Sequence, residues 1–347
     1  MEIQYKVSFN HMLKQRITRW LSRTVPPKGI NTANEIEVAL FSDIGLSRTE
    51  NQDCVAGMRV NASATTKAFT TIVLSDGMGG MHSGKECATH AVSTFLSEMV
   101  ANRHEPAYAR LEIAVKQANN CVYQMFEGKG GATLSAIVVE DGELPLIANI
   151  GDSRIYATAT DNKLYRLTKD DTLAEVFGGS GRDLIQYIGM GEGILLHISA
   201  VHPDASKIIM TSDGVHFLSH ETISSIIKFE QDPGEILKKI NLLVRWCGAP
   251  DNASMAIIDI KNIKSTLFTT SEPGINIIDP HGSMYIIWTK QNNTSDDTHT
   301  DRPNAEKKLD TEEVQGKKRI RRSKSKRQKS PTPQIEIEID NIKEDES

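Results

Sequence analysis

The amino-acid sequence predicts an α+β fold in which antiparallel sheet and helix lie in layers. From Ile36 onward it offers short apolar runs of strand length, at Ile36–Phe41, Ala68–Leu74, Leu134–Val139, Pro145–Ile150, Ile155–Tyr156 and Lys207–Thr211. Between them, Gly84–Met99, Ala107–Phe126, Ser219–Phe229 and Pro233–Val244 repeat apolar residues at helical spacing. Two long helices follow one another across Gly84–Phe126, and the strands come mostly in hairpin-like pairs. A strict βαβ alternation is absent, which excludes a doubly wound parallel sheet and favours antiparallel layers.

Either side of this region the pattern changes. Residues 8–23 set Met12, Leu13, Ile17, Trp20 and Leu21 at helical spacing among basic residues, and Pro26 and Pro27 end the run. This predicts a helix that packs on the core or docks a partner, within an N-terminal extension over 1–33. The main domain is expected over 34–262, closing with a strand at Ser254–Ile260. A short hairpin extension follows over 263–290, with Ile275–Ile278 and Met284–Trp288 flanking a four-residue turn, Asp279–Gly282. From 291 to 347 the chain is polar, repetitive and poor in aromatics, which predicts a disordered charged tail.

Composition narrows the function classes. With 347 residues, 39% of them hydrophobic, the chain can bury a large core. The charged residues number 40 basic and 45 acidic, of which 13 and 13 fall after Gln291, so the body is mildly acidic and unsuited to coating nucleic acid. Cys54, Cys87, Cys121 and Cys247 have neither zinc-ligand nor disulfide-framework spacing and read as small buried hydrophobes in a reducing compartment. No apolar run approaches the ~20 residues a membrane helix needs. Lys6, Lys14, Arg16, Arg19 and Arg23 break up any signal-peptide core, so a soluble cytoplasmic protein without a transmembrane segment is expected.

Five polar motifs interrupt the apolar strands at their ends, and each carries an aspartate: Asn51-Gln52-Asp53, Asp76-Gly77-Met78-Gly79-Gly80, Gly151-Asp152-Ser153-Arg154, Ser212-Asp213-Gly214 and Asp251-Asn252. One Asp beside one Gly is an ordinary turn. Aspartates gathered at one sheet edge, however, repel one another in a partly desolvated place. A hard divalent cation removes that cost, and oxygen-only ligands suit Mg2+ or Mn2+ rather than zinc. Glycine beside a ligand lets backbone approach the ion, a role that suits Gly77–Gly80.

The order Arg48 to Asp53, Asp76–Gly80, Gly131-Ala132-Thr133, Gly151–Arg154, Ser212–Gly214 and Asp251-Asn252 resembles that of the metal-dependent protein serine/threonine phosphatases of the PPM (PP2C-like) family over about Ile36–Ile260. Met78 between the glycines is similar to the bacterial branch. The resemblance implies an antiparallel β-sandwich flanked by helices, in four αββα layers. It implies two Mn2+ or Mg2+ ions bridged by Asp76, with the Gly77 carbonyl and Asp53 on one, and Asp213 and Asp251 on the other. Asp152, with Asp213, would support a third, weaker ion. Arg48 would bind phosphate through its planar fork, Asn252 would orient Asp251, and Ser153 and Arg154 would be structural. The implied chemistry is direct attack on phosphorus by a water shared between the ions, with Arg48, Asp53 and Asp76 as the catalytic set.

Departures from the family pattern bear on proton donation and substrate choice. Gln52 replaces a common Glu, Met81 a usual His, with His82 one place later, and Asp171 in Thr168–Thr172 stands where relatives commonly have His. His82 and His216 are candidate donors to the leaving group, though each also suits a structural role. Asp170–Gly189, with Gly178, Gly179 and Gly181, is short for the family's flap and predicts a mobile loop.

In the tail, Lys317–Lys329 packs nine basic residues into thirteen and could attach to nucleic acid, acidic lipid or an acidic partner. Gln334–Asp340 then alternates apolar and acidic residues, a pattern fit to add a strand to an exposed sheet edge. The leading functional expectation is a phosphoprotein phosphatase opposing a partner serine/threonine kinase. The competing ones are a catalytically weak phosphoprotein-binding scaffold and a nucleic-acid-associated regulator.

Overall fold

The computed structural model describes residues 2–63, 66–78, 83–159, 162–178, 183–266, 274–287 and 337–340. Among these the strands form two antiparallel sheets. One runs in the order β1 (Lys28–Ala33), β2 (Val38–Asp43), β11 (Ala253–Asp259), β10 (Lys207–Thr211), β7 (Arg154–Thr158) and β8 (Leu164–Arg166). The other runs β14 (Ile337–Asp340), β13 (Gly282–Ile287), β12 (Gly274–Asp279), β3 (Asp53–Val60), β4 (Phe69–Asp76), β5 (Leu134–Glu140), β6 (Leu146–Ile150) and β9 (His197–Ala200).

The two sheets stack through one shared core. Along β2, Val38 and Leu40 join that core, whereas Ala39 and Phe41 point the other way into a second cluster. Ala256 and Ile258 of β11 divide from Met255 and Ile257 in the same manner, as do Ile208 and Met210 of β10 from Ile209. Val55, Ile72, Leu74, Ile137, Val139 and Ile147 supply the facing side of the shared core. Strands buried on both faces read as unbroken apolar runs, which is why the sequence shows little strict alternation.

Helices close the outer faces. On the six-stranded sheet lie α5 (Asp213–His216), α6 (His220–Phe229) and α7 (Pro233–Trp246), contributing Val215, Ile223, Ile227, Ile236, Leu237, Ile240 and Val244. Ser219 and Asp232 start α6 and α7 as side-chain caps, accepting from the Thr222 and Glu235 amides. On the eight-stranded sheet lie α2 (Gly84–Ala101) and α3 (Ala107–Phe126). α1 (Glu2–Leu21) packs on α2, with Leu13, Ile17 and Trp20 buried and Thr18 Oγ1 within 2.8 Å of Ser93 Oγ. The result is the four-layer αββα sandwich. The short α4 (Leu173–Phe177) lies in the flap segment and α8 (Ile260–Thr266) follows β11. No helix among the described residues is long and apolar enough to cross a membrane.

Several local expectations are corrected. α1 starts before Ser8. β1, β3, β8 and β9 were not evident as strands: β1 is polar, β8 and β9 are short, and β3 holds Gly57 and a buried Arg59 that break its apolar run. A Cβ on Gly57 would lie 3.0 Å from Ile278 Cγ1, so the glycine admits β12 alongside. The hairpin turn has two residues rather than four, because the Asp279 carboxylate accepts from the His281 amide while Asn31 Nδ2 donates to the Asp279 and Gly282 carbonyls. Cys54 and Cys87 are buried, but Cys121 is half-buried and Cys247 exposed, since Cys247 lies beyond the packed face of α7.

The described residues up to 287 together with 337–340 form one compact unit, and 288–336, including the basic tract Lys317–Lys329, lie outside the described residues. The alternating run supplies β14, pairing with β13 over Ser283–Ile286.

Ile17 is fully buried between α1 and the body. Ile17→Ala should destabilise the protein by about 2–5 kcal/mol in chemical denaturation. A loss under ~0.5 kcal/mol, the level of a surface substitution, would show that α1 is not part of the cooperative core.

Candidate metal centre

Each acidic motif sits where a strand of one sheet or the other ends. Asp53 opens β3 and Asp76 closes β4, and the two stand opposite one another in the ladder. Asp213 follows β10 at the start of α5, Asp251 precedes β11, and Asp152 lies in the turn between β6 and β7. A cavity of about 390 Å³ collects Arg48, Asp76, Gly77, Met78, Asp152, Asp213, Asp251 and Asn252. Asp53 instead lines a second cavity of about 370 Å³. Gly79 to His82 fall outside the described residues.

Hydrogen bonds between the motifs hold this edge together. Asn252 donates from Nδ2 to the Ile44 and Glu50 carbonyls at 2.9 and 3.0 Å and accepts from the Gln52 amide at 2.8 Å. It thereby clamps the Arg48-bearing loop to the start of β11. The Asp251 carboxylate accepts from the Asn252 amide. Across the sheets, Ser212 Oγ donates to Asp53 Oδ2 at 2.8 Å and accepts from the Ser254 amide. Thr133 Oγ1 accepts from the Asp76 amide, the Thr133 amide donates to the Asp76 carbonyl, and Thr133 Oγ1 meets Ser153 Oγ at 2.7 Å. The Gly131–Thr133 and Gly151–Arg154 motifs thus position the Asp76 backbone.

Two glycines are demanded by close approach. A Cβ on Gly77 would lie 2.2 Å from the Gly84 carbonyl oxygen, and one on Gly214 would lie 1.9 Å from that of Asn252. Both distances are far inside contact, so each backbone can lie against its neighbour only without a side chain.

The electrostatics are those of crowded acid. Burial above all, then the charges of Asp213 and Asp251, pushes Asp53 up to about 7 despite hydrogen bonds from serine. Burial, then Asp53, Asp213, Asp152 and Asp251, pushes Asp76 well above the carboxylate range. Burial, then Asp213 and Asp170, pushes Asp152 up to about 6. Arg48 is the cation on the rim; its Nη2 lies 2.7 Å from Asp251 Oδ2, a bond that raises its pKa.

Among the described residues, no three His, Cys, Asp or Glu side chains already close on a single point as a tight cage. The donors nevertheless fit a hydrated hard cation. They are all oxygen, Asp76, Asp152, Asp213 and Asp251 stand around one cavity of about 390 Å³, and Asp53 Oδ1 is buried without a hydrogen-bond partner.

The cavity also takes in Asp183, Leu184 and Thr133. Asp183 escaped the sequence reading because it sits in the glycine-rich flap segment, with no strand or Gly beside it to mark it. Asp171 accepts from the Gly151 amide at 2.8 Å and faces His197 Nε2 at 3.5 Å, so it braces the Asp152 turn from outside the cavity. Of the candidate proton donors, His216 is engaged by Thr211 Oγ1 at 3.0 Å and lies outside the cavity lining. Arg154 pairs with Asp170, and Ser153 is buried.

No family model matches the chain. A protein phosphatase 2C-type of Streptococcus pyogenes is 26% identical over 247 residues, covering 64% of this chain and 97% of its own. Protein phosphatase PhpP of Streptococcus pneumoniae is 25% identical over 258 residues, covering 65% and 98%. Among solved structures, the PPM Ser-Thr phosphatase MsPP of Mycobacterium smegmatis matches with a TM-score of 0.53 at 24% identity, covering 64% of this chain and 97% of its own. The catalytic domain of the serine threonine protein phosphatase PstP, solved with two manganese ions, matches with a TM-score of 0.52 at 26% identity, covering 67% and 98%. The fold and these relatives together define a protein serine/threonine phosphatase. Within that class the chain resembles the bacterial PPM, or PP2C-like, phosphatases.

Crowded acid makes stability depend on pH in the metal-free protein. An unfolded Asp titrates near 3.9, so between there and about 7 the folded state holds protons that the unfolded state releases, and rising pH weakens folding. The contribution is complete below pH ~4 and lost as pH passes about 7. In chelator, Asp53→Asn should therefore lose less stability than wild type between pH 5 and 7.5. Equal losses in urea titrations at the two pH values would contradict the assignment.

Proposed function

We propose that the chain hydrolyses phosphoserine and phosphothreonine in proteins, with Asp53, Asp76, the Gly77 carbonyl, Asp213 and Asp251 holding two Mn2+ or Mg2+ ions, and Asp152 with Asp213 supporting a third. The observation that carries the reading is the meeting of Asp76, Asp152, Asp213 and Asp251 around one cavity with Arg48, while Asp53 stands opposite Asp76 in the β3–β4 ladder. Without bound cations that arrangement is electrostatically costly, as the raised pKa values of Asp53, Asp76 and Asp152 indicate. The two manganese ions of the PstP structure support the choice of metal. Divalent cations would supply an acidified water and offset charge on the phosphoryl oxygens.

The chain's own groups do the rest. Arg48 reaches the cavity from an exposed loop and shares its fork between Asp251 and an incoming phosphate, whose dianion a guanidinium matches in a plane. Asn252 holds that loop against β11, which fixes the backbone that carries Arg48 beside Asp251. The substrates would be the products of a serine/threonine kinase acting in the same cytoplasm.

Hydrolysis of p-nitrophenyl phosphate tests the reading. Wild type should turn over with Mn2+ and stop in chelator, and Asp76→Ala and Asp213→Ala should each lose about 100-fold or more. Absence of metal-dependent turnover in wild type would leave the scaffold reading in its place.

Arg48→Ala should lower kcat/KM by about 10- to 100-fold, the value of a charge-assisted hydrogen bond, with Arg48→Lys recovering part of it. Unchanged kinetics in Arg48→Ala would remove Arg48 from phosphate binding.

A further inference from the structure

The backbone on each side of Asp152 is tied to its surroundings. On one side Ser153 Oγ meets Thr133 Oγ1 at 2.7 Å. On the other, Gly151 is held twice by a single residue: its amide donates to Asp171 Oδ2 at 2.8 Å, and its carbonyl accepts from the Asp171 amide at 3.0 Å. Asn149 Nδ2 adds a longer bond to the same carbonyl, at 3.3 Å. Gly151 has a φ of +100°, and a Cβ there would lie 2.7 Å from Thr133 Cγ2, so the turn into Asp152 takes a left-handed form that suits glycine. Glycine is also the residue with the most freedom to leave that form, and the bonds to Asp171 are what hold it.

Asp171, the acid that departs from the family pattern, is itself fixed by the flap segment. Its carbonyl accepts from the Ile185 amide at 2.8 Å and the Leu173 amide donates to the Asp183 carbonyl at 3.0 Å, so Asp171–Leu173 and Asp183–Ile185 make a short antiparallel ladder. Asp183 and Leu184 of that ladder line the cavity with Asp152. Asp171 is only 6% exposed, a costly place for a carboxylate without donors. Besides the Gly151 amide it receives a bond from the Gln186 side chain and faces His197 Nε2 at 3.5 Å. β9 brings His197 there, in register opposite Asn149 of β6. The two oxygens thus serve different partners, Oδ2 the amide of the Asp152 turn and Oδ1 the imidazole.

We infer that Asp171 is a positioning residue for the metal centre: its carboxylate holds Gly151 so that Asp152 presents its oxygens to the third, weaker ion. The inference rests on the proposed function, which assigns that ion to Asp152 and Asp213. Asp171 does not line the cavity, so it acts through the backbone of the Gly151–Asp152 turn rather than on the ion. The two tighter ions are assigned to Asp53, Asp76, Gly77, Asp213 and Asp251, which are carried by other strand ends. Removing the Asp171 carboxylate therefore acts on the third ion selectively.

The test counts Mn2+ bound to the full chain from the EPR signal of the free ion, alongside p-nitrophenyl phosphate kinetics. Wild type should bind two ions tightly and a third weakly, and Asp152→Ala should lose the third. Asp171→Ala should keep the two tight ions and weaken the third by about 10-fold or more, the usual effect of removing a group that orients a metal ligand. Its kcat should fall at low Mn2+ and recover as Mn2+ rises, with KM unchanged. Asp171→Asn keeps an oxygen for the Gly151 amide and should keep the third ion. Retention of the two tight ions shows that a variant is folded; if Asp171→Ala fails this, Asp171→Leu, which keeps the branched shape without the oxygens, takes its place. A third ion as tight in the folded Ala or Leu variant as in wild type would overturn the inference and leave the two-ion reading standing. So would equal losses in Asp171→Asn and Asp171→Ala, which would trace the effect to charge rather than to the bond. A wild type without a third ion, or an Asp152→Ala that keeps it, would remove that ion from the proposed function and this inference with it.

Discussion

Asp53 and Asp76 face one another across the first ladder position of β3 and β4, and like charges directly opposite in an antiparallel pair repel. Everything else at this edge is arranged around that repulsion. Ser212 reaches from the other sheet to one oxygen of Asp53 while the second oxygen stays buried without a partner. Thr133 secures the Asp76 backbone on both sides, through its own amide and its hydroxyl. Asp152, Asp213 and Asp251 then approach from three further strand ends, adding to the repulsion rather than relieving it. A protein that tolerates such crowding has a reason to do so, and the binding of hard cations is the one that the donor chemistry supports.

The sandwich is what makes the crowding possible. Two sheets share a core of branched aliphatic residues, and each is buttressed by helices on its other face. Strand ends from both sheets can therefore converge on one edge with little freedom to move apart. The glycines at 77 and 214 show how tightly this edge is packed, since neither position leaves space for a methyl group. Asn252 ties three backbone groups of the Ile44–Gln52 loop to the start of β11 through a single side chain and carries Arg48 with them.

The relatives are covered almost to their ends while about a third of this chain lies beyond the match. The elements flanking the matched motifs are integrated into the fold. α1 buries three side chains against the body, and Arg23 just after it pairs with Asp279 and stacks on Trp20 with its guanidinium carbon 3.7 Å from the ring centroid. That pair ties the N-terminal segment to the hairpin turn of β12 and β13, which in turn extends the larger sheet.

Sequence by itself determined the class of fold, the positions of α2, α3, α6 and α7, most central strands and the ordered set of acidic motifs. Each of these is written in local chemistry: helical spacing in α2, α3, α6 and α7, apolar runs in β4, β5, β10 and β11, and Asp beside Gly at strand ends. β3 was hidden because its glycine and arginine are explained only by β12 lying beside it and by a buried neighbourhood. Asp183 was hidden because what brings it to the cavity is the path of the flap, not its neighbours in sequence. Only the tertiary structure decided that aspartates from two different sheets share one edge, that Asp53 lines a different cavity from Asp76, and that a strand near the C-terminus covers β13. Distances between residues 200 positions apart are set by how the sheets stack, and no periodicity along the chain carries that information.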